Sequence, residues 1–324
     1  MEVEYVAFDS FGVKSSCVLI KTSDVRICVD PGIAVETGSF PLPWHVKLAL
    51  GEKYRLNIAQ ACSEADVITI SHYHYDHHQP IQAWYEGKVL LIKNPGKAIN
   101  KSQKERAGYF LQLIKGVAEE IKIADDKEFK FGETTIRFSK PLWHGVRGSA
   151  LGYVLTTTVS TQRYKILHSS DIDGPTIEQY TDHILRESPD LLILDGAPTY
   201  LLGYIHAYYN LCRSVLNLRR LIKSRRVKKI ILDHHALRDY RYKDLYHLAF
   251  KSAKEHGVEL HTAAEEIDKK PAVLEGYEKY GSTKWKHWNK IEEEDMQRIL
   301  NNAREHKLLG KETIELIGRE LKGF

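Results

Sequence analysis

The order of apolar and polar positions along this chain predicts strands first, then helices alternating with strands. Glu2 to Phe8 and Ser16 to Lys21 read as an antiparallel pair. Val25 to Asp30 reads as a third strand that stops at Asp30-Pro31-Gly32, where proline withholds a donor and glycine tolerates the turn. Ile33 to Cys62 is irregular around Pro41 and Pro43 until a helical pattern near Asn57 to Cys62. At that length it is expected to be a lid or the edge of a site. Within it, Leu42-Pro43-Trp44-His45 is expected to pack. Ala65 to Ile70 is an apolar, β-branched run and predicts a buried strand, followed by a short strand at Lys88 to Ile92 and a charged amphipathic helix over Lys97 to Gly116. Glu128 to Phe131, Thr134 to Ser139, Gly152 to Thr158 and Tyr164 to His168 predict further strands. Leu191 to Asp195 and Lys229 to Asp233 are nearly unbroken apolar runs, the mark of strands buried on both faces, with a helix over Tyr208 to Lys223 between them. This order fits an α/β chain built as a four-layer α/β/β/α sandwich of two mixed sheets. Beyond Ile267 charged helical segments dominate, at Ile291 to Leu300 and Lys311 to Leu321. The chain is therefore expected to divide into a domain over residues 1–267 and a C-terminal helical extension over 268–324.

Composition narrows the class. With 324 residues, 43% of them hydrophobic, the chain can bury a substantial core. Its four cysteines, Cys17, Cys28, Cys62 and Cys212, are scattered as small hydrophobes would be, which suits a reducing cytoplasm. Met1-Glu2-Val3-Glu4 does not read as a secretory leader, and no apolar run approaches the roughly 20 residues that span a bilayer, so no membrane partner is expected. The net charge of +4 does not by itself demand nucleic acid. Arg219 to Lys229 carries seven cations in eleven residues; it reads either as a phosphate contact or as the solvated end of a helix, where the dipole favours cations.

The densest chemistry lies in Ser71-His72-Tyr73-His74-Tyr75-Asp76-His77-His78, directly after the strand ending at Ile70. His72 and His74 can point the same way on extended chain, whereas Asp76 and His77 need the chain to turn. One cation does not need all four groups, so the spacing suggests two ions sharing one loop. Other strand ends also carry His and Asp: Trp143-His144-Gly145, His168-Ser169-Ser170-Asp171 and Asp233-His234-His235. The order of cluster, His, Asp and His resembles the metallo-β-lactamase superfamily over roughly Glu2 to Ile267. The Ser71–His78 and Asp233–Asp239 stretches are similar to a little-characterised, mostly archaeal branch of it.

The resemblance implies one metal on His72, His74 and His144, a second on Asp76, His77 and a histidine of the last motif, and Asp171 joining the two. His234 is favoured in the last motif, with His235 the alternative; the unused one is expected to give a proton to the leaving group. Asp76 and His235 are accordingly the expected catalytic residues. Asp173 competes with Asp171 for the bridge, and Asp30 is either a support for a ligand histidine or a turn residue. The implied activity is hydrolysis by a hydroxide held between two zinc ions, with iron or manganese tolerated. Phosphodiester or nucleic-acid substrates are favoured, with a lactone or thioester, or a non-catalytic metal-binding regulatory module, as alternatives.

Overall fold

In the computed structural model, which describes residues 1–321, two mixed sheets lie face to face between layers of helices. The first sheet contains β1 (Glu2–Phe8), β2 (Ser16–Lys21), β3 (Arg26–Val29), β4 (Val67–Ile70), β5 (Val89–Ile92) and β6 (Glu120–Ile123) in sequence order. Its first three strands are antiparallel and the rest parallel. The later strands are β7 (Glu128–Phe131), β8 (Thr134–Phe138), β9 (Leu142–Trp143), β10 (Tyr153–Val154), β11 (Thr157–Ser160), β12 (Lys165–His168), β13 (Leu191–Asp195), β14 (Lys229–Asp233) and β15 (Glu259–His261). Seven of these form the second sheet, in the order β15-β14-β13-β12-β11-β8-β7, while β9 and β10 pair as a separate hairpin.

The apolar runs of β12 to β14 explain the layering. Ile166, Leu191, Ile193 and Ile231 point into the core shared with the first sheet, and the alternate residues Leu167, Leu192, Leu194, Ile230 and Leu232 belong to a second core under helices. The helices on the first sheet are α1 (Trp44–Glu64) and α2 (Lys101–Leu113), which bury Tyr54, Ile58, Ala61, Ala107 and Phe110 in the shared core. On the second sheet lie α3 (Glu178–Glu187), α4 (Tyr208–Ser224) and α5 (His247–His256). Three helices past residue 267, α6 (Ala272–Tyr280), α7 (Glu293–Glu305) and α8 (Lys311–Glu320), bury Val273, Met296, Leu300, Leu316 and Ile317 in that same second core.

Two local expectations are corrected. The helix expected near Asn57 to Cys62 begins thirteen residues earlier, at Trp44, directly after Pro43. Trp44 is 61% exposed and His45 is exposed, so neither packs. The run Gly152 to Thr158 is not one strand. It breaks at Leu155-Thr156, where Leu155 N–H donates to the Ser71 carbonyl at 3.1 Å and ties this segment to the histidine-rich loop.

The cations of the Arg219–Lys229 run are largely engaged with acids. Arg219 pairs with Glu293, Arg220 with Asp182, Lys223 with Glu320, Lys228 with Asp190, and Lys229 with Glu259 and Glu266. They stitch α4 and β14 to neighbouring elements. All four cysteines are buried free thiols. Among the described residues, no helix is long and apolar enough to cross a membrane.

Candidate metal centre

The candidate ligands lie in loops beyond the C-terminal ends of β4, β9, β12 and β14, and these loops bring them together. Past β4 the chain bends through Ser71 to Tyr73 and then turns, with His77 and His78 N–H both donating to the His74 carbonyl at 3.0 and 3.1 Å. The turn brings Asp76 and His77 into a group with His234, with the His77 ring centroid 4.2 Å from that of His72. Gly32 makes this turn fit. A Cβ there would lie 2.1 Å from the His77 nitrogen and 2.3 Å from the His78 nitrogen, both rigid backbone. Gly32→Ala is expected to push the loop outward and lower the protein's divalent-metal content, and elemental analysis of the purified variant checks this. Gly145, after β9, is constrained in a similar way: its φ is +74°, and a Cβ would lie 2.1 Å from Asp173 Oδ2.

Candidate ligand atoms from distant parts of the chain fall within 4.8 Å of one another in two groups, His72, His74, His144 and Asp171 on one side and Asp76, His77 and His234 on the other. Asp171 sits between them. Its Oδ2 lies 3.0 Å from His144 Nε2 and 3.5 Å from His72 Nε2; its Oδ1 lies 2.8 Å from His77 Nε2 and 3.3 Å from His234 Nε2. Each oxygen therefore faces one pair of imidazoles. Asp173 is directed elsewhere: it joins Asp195 and His235 in a neighbouring group. His235 Nδ1 pairs with Asp195 Oδ1 at 2.9 Å, and His235 also forms a further group of candidate ligands with Asp171 and His234.

The surroundings fix the rings. Asp30 accepts from His77 Nδ1 at 2.9 Å and from the Ser71 amide at 2.8 Å. Asp9, at the end of β1, accepts from His234 Nδ1 at 2.7 Å. With both Nδ1 atoms held by carboxylates, the Nε2 atoms of His77 and His234 face each other at 3.3 Å. Two imidazole nitrogens directed at a common point, together with buried nitrogens of His72 and His144 that lack a hydrogen-bond partner, are what a cation site requires of its donors. The residues fit divalent metal. Asp30, Ser170, Asp173 and His234 all adopt left-handed backbone, φ +49° to +58°, a conformation uncommon for residues with a Cβ.

Electrostatics follow from burial and neighbours. Burial alone would raise the Asp171 carboxyl, but the surrounding histidines, His77 first, hold it well below the usual range. Burial would lower His77, yet Asp171 and Asp30 lift it to about 10. His72 falls to about 4, chiefly through burial and then the charge of His77, which Asp171 offsets only in part. Burial and the positive charge of Arg238 keep His235 well below its ordinary value, whereas burial pushes Asp195 up to about 7, helped by Asp171.

Sequence reasoning missed Asp9 and Arg238. The Arg238 guanidinium is buried, with Nε donating to Asp9 Oδ1 at 2.5 Å, Nη2 to Asp76 Oδ2 at 3.2 Å and Nη1 to Tyr200 Oη at 3.3 Å. The one available signal for Asp9 was an aspartate immediately after a strand, as at Asp30. Asp233 turns out to be structural: its two oxygens accept from the backbone of Ser10, His234 and Ala263. His168 likewise serves the frame, holding the Ser16 carbonyl at 2.8 Å.

Comparison with known proteins agrees with this architecture. The family described as Beta-lactamase superfamily domain matches residues 12–195. A UPF0282 protein of Methanopyrus kandleri is 38% identical over 295 residues, covering 86% of this chain and 97% of the relative. Another, from Methanocaldococcus jannaschii, is 38% identical over 294 residues, covering 86% and 96%. Among solved structures, the metallo-beta-lactamase fold protein YhfI from Bacillus subtilis is similar with a TM-score of 0.46 and 19% identity, covering 77% of this chain and 88% of that one.

Proposed function

The chain belongs to the beta-lactamase superfamily and to the UPF0282 proteins, and from that premise we propose that it is a hydrolase of phosphoesters working with two divalent cations, zinc ahead of iron or manganese. His72, His74 and His144 would hold one cation, Asp76, His77 and His234 the other, and Asp171 would offer one oxygen to each. The supporting observation is the pair of carboxylate-anchored imidazoles, His77 on Asp30 and His234 on Asp9, whose Nε2 atoms converge on Asp171. When bound, two such cations supply Lewis acidity and acidify water at neutral pH. Residues 1–267 are the hydrolase unit in this reading, and the helices from 268 onward are an extension packed on its second core.

The chain's own groups supply the rest. Asp9 and Asp30 fix the tautomers of His234 and His77, so that Nδ1 carries the proton and Nε2 the lone pair. His235 is the proton donor. A neutral His235 ring carrying its proton on Nε2 gives it to the leaving oxygen, while Nδ1 takes one from Asp195, 2.9 Å away. A poor phosphoester leaving group needs that proton most, which favours phosphoesters over activated carbonyls. A lactone or thioester remains the second reading, since the same centre polarises a carbonyl.

Elemental analysis joined to a substrate panel tests the proposal. Purified protein supplied with zinc should retain two equivalents and hydrolyse bis(p-nitrophenyl) phosphate. His74→Ala should retain fewer than two and lose turnover. Two retained equivalents in His74→Ala would remove it from the ligand set, and turnover of lactones or thioesters alone would move the substrate to the second reading. Bound metal with no turnover of any substrate would favour a regulatory module.

A further inference from the structure

Arg238 is a buried cation beside two of the candidate ligands, and a merely structural role leaves part of it unexplained. A guanidinium has five N–H donors. Nε is taken by Asp9, one Nη2 donor by Asp76 and one Nη1 donor by Tyr200. These three anchors come from β1's end, the histidine-rich loop and the segment after β13, and they fix the plane of the group. Nη2 also lies 3.4 Å from His234 Nε2. With a cation held through that nitrogen's lone pair, the Nη2 proton facing it would have no acceptor among the described residues. A buried charged donor without an acceptor is costly, and an anionic oxygen of a bound substrate would supply the missing acceptor.

We infer that Arg238 is the specificity-determining residue of this centre, donating from Nη2 to an anionic oxygen of the reacting group, which makes the substrate a phosphoester and disfavours uncharged lactones and thioesters. The inference rests on the two-cation reading above. Arginine suits the task because charge-assisted hydrogen bonds to phosphoryl oxygens are about twice as strong as neutral ones, and its fixed fork cannot collapse onto Asp76 as a flexible ammonium would.

The test uses the full chain loaded with zinc and inorganic phosphate as the probe. Calorimetry should show phosphate binding that Arg238→Lys weakens by about tenfold or more, with both zinc equivalents retained. In the wild-type protein, the 15N guanidinium resonances that vanish in Arg238→Lys should shift on adding phosphate. This second readout decides the matter if the variant loses zinc. Phosphate binding with unmoved Arg238 resonances, or equal affinity in a zinc-replete Arg238→Lys, overturns the inference and leaves the hydrolase proposal standing. Failure of the wild type to hold two zinc ions overturns both.

Discussion

Asp171→Ala is expected to reduce bound zinc from two equivalents to one or none and to lower turnover by a factor on the order of 10³ or more, because losing the shared oxygens costs several kcal/mol of charge stabilisation. The reason is geometric. Asp171 is the only carboxylate among the described residues whose two oxygens face both pairs of imidazoles, with His144 and His72 on Oδ2 and His77 and His234 on Oδ1. Asp173→Ala is the control. Its carboxylate faces Gly145, Asp195 and His235 instead, so this variant should keep two equivalents. Elemental analysis of both variants side by side checks the ranking, and the reverse order would transfer the bridging role to Asp173.

Asp9→Ala should destabilise the metal-free protein by about 3–5 kcal/mol, the usual consequence of stripping one partner from a buried ion pair. Two positively charged groups depend on this carboxylate: His234 at 2.7 Å and Arg238 beside it, all three side chains being nearly inaccessible. Without Asp9 they face each other across a site with one fewer negative charge. The pH dependence has a definite sign. Burial tends to raise the Asp9 carboxyl, but Arg238 and His234 overcome it and hold the folded value below the ordinary one. Its contribution is therefore fully present above the unfolded value of about 3.9 and is lost as pH falls through the lower folded value. Denaturant titrations should show the full gap between wild type and Asp9→Ala at pH 7 and a narrowing gap only below about pH 4. Adding Arg238→Met to Asp9→Ala should recover part of the loss, because it removes the orphaned charge.

These two residues mark the boundary between what is legible in the chain and what is not. Most ligand candidates could be read because they follow apolar strands: Val67 to Ile70 before the cluster, Lys165 to His168 before Asp171 and Lys229 to Asp233 before His234, whereas His144 follows only the two-residue β9. The layers were legible for the same reason, since an unbroken apolar run requires cover on both faces. Asp9 and Arg238 were not, because they are 229 residues apart and neither carries a local signal of the other. The start of α1 was hidden by a different cause. Trp44, Leu48 and Leu56 are exposed, while Lys47 is buried with its amine on the Thr37 carbonyl at 2.6 Å, so the helix does not present a clean apolar stripe. The short strand β6 was missed because it is an edge strand with exposed or half-exposed positions and no continuous apolar face. For α3 the signal was present: Tyr180 and Ile184 lie four apart on its buried side, as a helix of only ten residues allows.

Anomalous diffraction from crystals of the full chain grown with zinc is the most direct test of a two-cation centre around Asp171. Two peaks are expected, one enclosed by His72, His74, His144 and Asp171, the other by Asp76, His77, His234 and Asp171. Absence of zinc from this centre in a protein that keeps its fold, with these imidazoles turned away from Asp171, would contradict it.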